Sequence, residues 1–237
     1  MMSTPTEPGV RARNRAALES QLRDVGRRHL AEHGAAALSL RAVARDMGRT
    51  PSSLYRYVRD RDDLLTVLII EAYDDLGDAL DTAVAGCQPG RPAFEAFAHA
   101  LHVWAVAHPS EYALLYGSPV PGYHAPADAT ARAGNRPILA AARIVAGLEV
   151  VPNISGTSAE RQQRAVDALR AATREDGVVE LGLTPEVLTR TVAAWNLLLG
   201  AITSELFEQL GPITDRPDDV WDGIVDLAGA LVFGTET

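Results

Sequence analysis

Apolar residues recur at intervals of three and four along nearly the whole chain, and no segment shows the two-residue alternation of a half-buried strand. That periodicity confines the fold to packed helices. A first helix is predicted near 12–33, with Leu18, Leu22, Val25 and Leu30 on one stripe and His33-Gly34 as its stop. Ser39 suits the N-cap of a short second helix that carries Leu40, Val43, Ala44 and Met47 inward, and Gly48 closes it. Thr50 and Pro51 open a third helix, read as Pro51 to Val58, because the missing proline N–H costs nothing in a first turn. Asp60 caps a fourth helix. Asp62 and Asp63 fall in its first turn, where the helix dipole favours acids, and apolar spacing continues through Leu64, Leu65, Leu68, Ile69, Ala72, Leu76, Leu80 and Val84.

Charge divides the 237 residues unevenly. The net charge is −9, and every basic residue is arginine. Residues 1–61 hold twelve arginines and six acids, a balance of +6, whereas 62–237 hold ten basic and twenty-five acidic residues, a balance of −15. A basic segment joined to an acidic remainder suggests a polyanion-binding module on a differently employed body. The plainer alternative is a set of solvated helix faces. Cys87 is alone, so an internal disulfide or cysteine metal cluster is excluded and a reducing, cytoplasmic setting is expected. No stretch approaches the ~18 apolar residues of a membrane helix, and residues 1–10 read as a disordered arm, not a secretory signal.

Two short helices about three residues apart around a glycine make a helix-turn-helix. Its second helix can enter a DNA major groove, N-terminal residues against base edges and flanking elements on phosphates. Thr50, Pro51, Ser52 and Ser53 keep its start slim, and Tyr55, Arg56 and Tyr57 offer hydroxyl, aromatic and guanidinium contacts. Ser39, Arg41 and Arg61 flank it and complete the expected DNA-binding set. Leu54 and Val58 read as core. The stretch Leu38-Ser39-Leu40-Arg41-Ala42-Val43-Ala44, Gly48, Leu54-Tyr55-Arg56-Tyr57-Val58 and Arg61-Asp62-Asp63-Leu64-Leu65, within about 16–76, resembles the DNA-binding domain of TetR/AcrR-type transcriptional regulators. Pro51 and Ser52 depart from the lysine and glycine frequent there, Val58 from a phenylalanine, and Arg61 from a lysine. The resemblance implies an all-α protein that acts as a homodimer on double-stranded DNA, one head per half of a palindromic operator.

The expected organisation is a head at 11–60, a connecting helix at 61–85 and an effector-binding and dimerisation domain at 86–237. Helices are predicted at 93–107, 110–116, around 127–134, at 138–150, within 158–176 and from Thr184-Pro185-Glu186 through Phe207, with a last one at 218–232. A loop is expected at 152–157. The run Trp104…His108-Pro109…Tyr112…Tyr116-Gly117 resembles one subclass of TetR-type C-terminal domains. The resemblance implies an unknown small-molecule effector and no cofactor. His102, Trp104, His108, Tyr112, Tyr116, Tyr123 and Trp195 are the pocket candidates. The last two helices are apolar over more than one face and need a partner surface. A four-helix dimer bundle, with Leu199, Gly200, Thr203, Phe207, Ile224, Ala228 and Leu231 at its interface, is one solution, and completion of a monomeric core is the other. His99 and His102 lie three apart, but without a neighbouring acid or cysteine at ligand spacing no metal is expected. No nucleophile triad or phosphate-cradling loop is evident, so an enzyme is the weaker alternative to a repressor, as is a helical small-molecule binder without DNA function.

Overall fold

The computed structural model describes residues 9–147, 158–169, 180–211 and 214–234. Among them it contains eleven helices and no strand: α1 (Val10–Ala37), α2 (Leu40–Asp46), α3 (Pro51–Leu54), α4 (Arg61–Val84), α5 (Arg91–Ala107), α6 (Pro109–Tyr116), α7 (Ala127–Gly134), α8 (Arg136–Val145), α9 (Ala159–Leu169), α10 (Pro185–Leu206) and α11 (Pro217–Phe233). Most of the expected arm, the loop at 152–157 and the end of the 158–176 segment lie outside the described residues. Val10, assigned to the arm from sequence, already belongs to α1. No helix of the described residues is long and apolar enough to cross a membrane.

The caps follow the local chemistry. Gly34 breaks α1 with φ 74 and ψ 166, a conformation that a Cβ would penalise. The Ser39 hydroxyl accepts the Ala42 N–H at 3.5 Å and starts α2. Asp60 Oδ1 accepts the Asp63 N–H at 2.8 Å, and Asp63 Oδ2 accepts the Arg59 N–H at 2.9 Å, which closes the entry to α4 from both sides. Thr184 Oγ1 accepts the Val187 N–H at 3.3 Å and starts α10.

The described chain forms two compact units. The first comprises residues up to Ala72 together with Ser110–Thr130, and the second comprises Tyr73–Pro109 with Ala131 onward. The core of the first joins Leu22 and Val25 of α1, Val43 and Ala44 of α2, Leu54 of α3 and Leu64, Leu65 and Leu68 of α4. Leu114, Val120 and Tyr123 pack against that same core, and Tyr123 Oη lies 2.9 Å from Thr66 Oγ1. By packing, Ser110–Thr130 thus goes with this core, although it lies within the stretch 86–237 expected to bind effector and dimerise. The segment supplies apolar cover that the short head helices cannot give one another. In the larger second unit α10 packs on α11, α8, α9 and α5, around Phe97, Leu101, Leu198, Ile202, Trp221 and Val225.

Two polar clasps hold the second-unit part of α4. Trp104 Nε1 donates to Asp75 Oδ2 at 2.8 Å. Arg136 Nη1 donates to the Asp74 carbonyl at 3.0 Å, and its Nη2 reaches Asp78 at 2.5 Å and Asp81 at 2.7 Å. Hydrogen bonds to these two aspartates hold the guanidinium's pKa above its ordinary value. Gly77 makes the approach possible, because a Cβ there would stand 2.5 Å from Arg136 Cδ.

Candidate nucleic-acid interface

The turn between α2 and α3 is built on Gly48, at φ 64, with the Arg49 N–H donating to the Ala44 carbonyl at 2.8 Å. Thr50 and Pro51 start α3 as the sequence implies, but the Thr50 hydroxyl makes no cap bond. It lies 3.1 Å from Ser52 Oγ, while Ser53 Oγ donates to the Thr50 carbonyl at 2.7 Å. The helix is also shorter than the expected Pro51–Val58. It ends at Leu54, and the N–H groups of Tyr57 and Val58 both donate to the Leu54 carbonyl, at 2.8 and 3.1 Å. This tightened turn brings Val58 into the core, where it is buried as expected.

The candidate side chains divide by what they already touch. Tyr55 is 52% exposed beyond the end of α3. Arg56 is exposed with its guanidinium carbon 5.1 Å from the Tyr57 ring centre, and Tyr57 packs partly against the core. Arg41 is exposed on the first turn of α2, and among the described residues its side chain has no hydrogen-bond or ion-pair partner. Arg49, which the sequence reading left unassigned, has the same status; its place immediately before the α3 cap was the available signal. Ser39 is occupied by its capping bond, and Pro51 is half-buried.

Arg61 departs from the expected phosphate contact. Its Nε donates to the Leu38 carbonyl at 3.2 Å, and Nη2 donates to the carbonyls of Ala35 at 2.9 Å and Ala36 at 3.1 Å. Nη1 donates to Asp62 Oδ1 at 3.2 Å. These carbonyls lie at the end of α1, beyond its kink at Gly34, where helical donors run out, and Arg61 supplies them. Other arginines of the basic segment are similarly spoken for. Arg15 pairs with Glu19 at 2.8 Å, Arg23 with Glu71 at 3.0 Å, Arg27 with Asp24 at 2.9 Å and Arg59 with Asp63 at 3.0 Å. Arg11 and Arg28 on α1 are exposed without a hydrogen-bond or ion-pair partner among the described residues, and at the helix-turn-helix itself the exposed positive charge lies on the edge carrying Arg41, Arg49 and Arg56.

α1 and α2 are tied by a histidine. His29 is buried, and its Nε2 lies 2.7 Å from Asp46 Oδ2. The hydrogen bond to His29, then the charges of His29 and nearby arginines, hold the Asp46 carboxyl below its usual range.

The pocket candidates are divided between the two units. Tyr112, Tyr116 and Tyr123 belong to the first unit, and His102, Trp104, His108 and Trp195 to the second. Tyr112 is fully buried, with the Tyr116 ring centre 5.3 Å from its own. His108 stacks on Trp104 and lies 3.0 Å from its carbonyl. Trp195 leans on Phe97 at 6.0 Å, and His102 Nε2 lies 2.7 Å from Glu205 Oε2. A cavity of about 500 Å³ does exist in the second unit, but none of the seven candidates lines it; Leu197, Ala201, Glu205, Val220, Trp221 and Ile224 do. Among the described residues no group of three or more His, Cys, Asp or Glu side chains is placed to hold a metal.

Of the interface candidates, Ala228 is fully buried within its own protomer and has no side-chain surface for a partner. Gly200 is exposed, with open space where its Cβ would stand. Phe207 is exposed, and Leu227 on α11, not anticipated from sequence, is 63% exposed.

The comparisons with known proteins agree with this architecture. A family model described as bacterial regulatory proteins, tetR family, matches residues 22–68, and one described as tetracyclin repressor-like, C-terminal domain, matches 94–228. The chain is 38% identical over 228 residues to HTH-type transcriptional regulator Rv1816 of Mycobacterium tuberculosis (strain ATCC 25618 / H37Rv), covering 94% of this chain and 96% of that protein. The same figures hold for HTH-type transcriptional regulator Mb1846 of Mycobacterium bovis. The crystal structure of SCO4313 superposes with a TM-score of 0.74 at 28% identity, over 95% of this chain and 98% of that one. These relatives and this fold are those of regulators, not enzymes. The chain belongs to the TetR family of bacterial transcriptional regulators, with a helix-turn-helix DNA-binding head and a larger helical C-terminal domain.

Proposed function

We propose that the protein is a cytoplasmic homodimeric repressor that grips a palindromic operator and is released by a small, largely apolar effector. The observation that carries the DNA half is the arginine edge: Arg41, Arg49 and Arg56 are exposed around α3, whereas Arg23, Arg27, Arg59 and Arg61 are engaged with carboxylates or carbonyls. Tyr55 and the slim start Thr50-Pro51-Ser52-Ser53 approach base edges, Arg56 and Tyr57 follow them, and Ser39 with Arg41 flanks them. Arg61 serves by holding the end of α1. In the effector-free dimer the heads match successive major grooves, ~34 Å apart. An effector that binds a second conformer more tightly draws the heads out of that spacing.

The division proposed for these tasks is a head at 11–60, a connecting helix at 61–85 and an effector and dimerisation region at 86–237. That region belongs to the Trp104, His108-Pro109, Gly117 subclass. The dimer face is proposed on α10 and α11 through Leu199, Gly200, Thr203, Phe207, Ile224 and Leu231, joined by Leu227. His102, Trp104, His108, Tyr112, Tyr116, Tyr123 and Trp195 are proposed to shape effector response, as packing under the pocket or as its wall.

Selection of bound fragments from genomic DNA, followed by a salt titration on the recovered operator, tests the reading. Log affinity is expected to fall linearly with log salt, with a slope of roughly −0.9 for each phosphate contact. Failure to enrich a palindrome, or a flat salt response, overturns it.

A further inference from the structure

We infer that the cavity between α10 and α11 binds a small organic cation with an apolar body, a site distinct from the aromatic set proposed above. The cavity holds about 500 Å³, within the ordinary range of small-molecule sites. Leu197 and Ala201 form one wall and Val220, Trp221 and Ile224 the other. Its charged lining is acidic: Glu205 and Glu208 border it, and among the described residues no arginine, lysine or histidine does. Two carboxylates beside apolar surface repel an anion and reward a positive group that enters with its hydrocarbon covered.

Two features separate this arrangement from a gap between helices. Glu208 has φ 50 and is the one non-glycine residue with positive φ among those described. It follows the end of α10, where a chain usually places glycine; here the position carries a carboxylate, exposed and without a side-chain partner among the described residues. Secondly, the cavity wall is wired to α5. Glu205 pairs with His102, the His102 ring stacks on Trp221 at 4.5 Å, and Trp221 Nε1 donates to His99 Nδ1 at 3.3 Å. A cation on Glu205 competes with His102 and so alters the contacts that α5 makes with both walls. His99, which also faces Asp222 at 3.9 Å, joins the same network.

Around α10 the cavity residues Leu197, Ala201 and Ser204 lie roughly a third of a turn from Leu199, Gly200 and Thr203 at 3.6 residues per turn. Gly200 and Ser204 stand four residues apart, so a ligand and a second protomer use adjoining sides of that helix. On α11 they meet at Ile224, which gives an occupant a route to the dimer.

The test uses the full chain without DNA, so its failure leaves the operator reading standing. Octyltrimethylammonium, octanoate and octanol are titrated calorimetrically into wild type, Glu208→Gln and Ala201→Phe, with oligomeric state followed by sedimentation. The ammonium is expected to bind at least tenfold more tightly than octanoate or octanol. Glu208→Gln should remove most of that preference, and Ala201→Phe should abolish binding while helical content and operator affinity stay unchanged. Equal or tighter binding of octanoate or octanol overturns the proposal. So does ammonium binding that survives Ala201→Phe. Absence of binding to wild type, with Ala201→Phe instead shifting the monomer–dimer balance, overturns it by assigning the cavity to a second copy of the chain.

Discussion

Replacing Arg61 by alanine should destabilise the head without removing a DNA contact. The side chain is 29% exposed and spends its guanidinium on three carbonyls and Asp62. Hydrogen bonds from a charged donor contribute about 1.5–3 kcal/mol when buried. Water reaches these carbonyls once the side chain is gone, so the net loss should lie near the low end, about 2 kcal/mol. For a chain of this size that lowers the melting temperature by about 4–8 °C. Lysine keeps the charge but reaches fewer of the three acceptors, and should recover about half. The assay pairs thermal unfolding by circular dichroism with a salt titration of operator binding. Arg61→Ala should melt early and keep the wild-type salt slope. Arg49→Ala should melt normally and flatten the slope by about 0.9 per protomer if it meets a phosphate. An Arg61→Ala protein that melts as wild type but loses that much slope would refute the assignment and return Arg61 to the DNA surface.

Three further outcomes follow from the geometry. Gly77→Ala would ordinarily stabilise a helix by about 0.5–1 kcal/mol, but its Cβ would strike Arg136, so the melting temperature should fall. In an Arg136→Ala background the same change should raise it, and a rise in both backgrounds would disprove the clasp. Asp46 has a depressed carboxyl pKa, so its contribution is present above the ordinary carboxylate value of about 3.9 and is lost as pH falls through the lower folded value. Asp46→Asn should therefore differ most from wild type above about pH 4, and the two melting curves should converge towards pH 2; a constant gap would exclude the linkage. Leu227→Asp, on the exposed stripe of α11, should yield a folded monomer in sedimentation velocity, and an unaltered dimer would move the interface elsewhere.

Much of the head was legible because its signals are local. Ser39, Gly48, Pro51 and Asp60 act on backbone groups within a few residues, and the structure shows each at the expected start or stop. The buried positions Leu54 and Val58 were equally legible, since their neighbours in sequence set their face. The length of α3 was not. Its end at Leu54 depends on how Val58 meets the head core, a contact between elements. Beyond the head the helices were legible, but what each aromatic side chain touches was not. Aromatic residues mark where a pocket is affordable in composition, yet Trp104, Tyr112 and Trp195 are engaged with protein neighbours, and the cavity is lined by other residues.

Sequence alone determined that this chain is helical, that its basic charge gathers in the first 61 residues, and that these residues form a helix-turn-helix. Periodicity and caps suffice for that, because both act over one or two turns. Only the tertiary structure decided which arginines remain free, that residues 110–130 complete the first core, that Ala228 is interior, and that two glutamates border a cavity. An arginine reads the same in sequence whether it meets a phosphate, a carboxylate or an orphan carbonyl. An apolar stripe records that a face must be covered, and the three-dimensional packing selects what covers it.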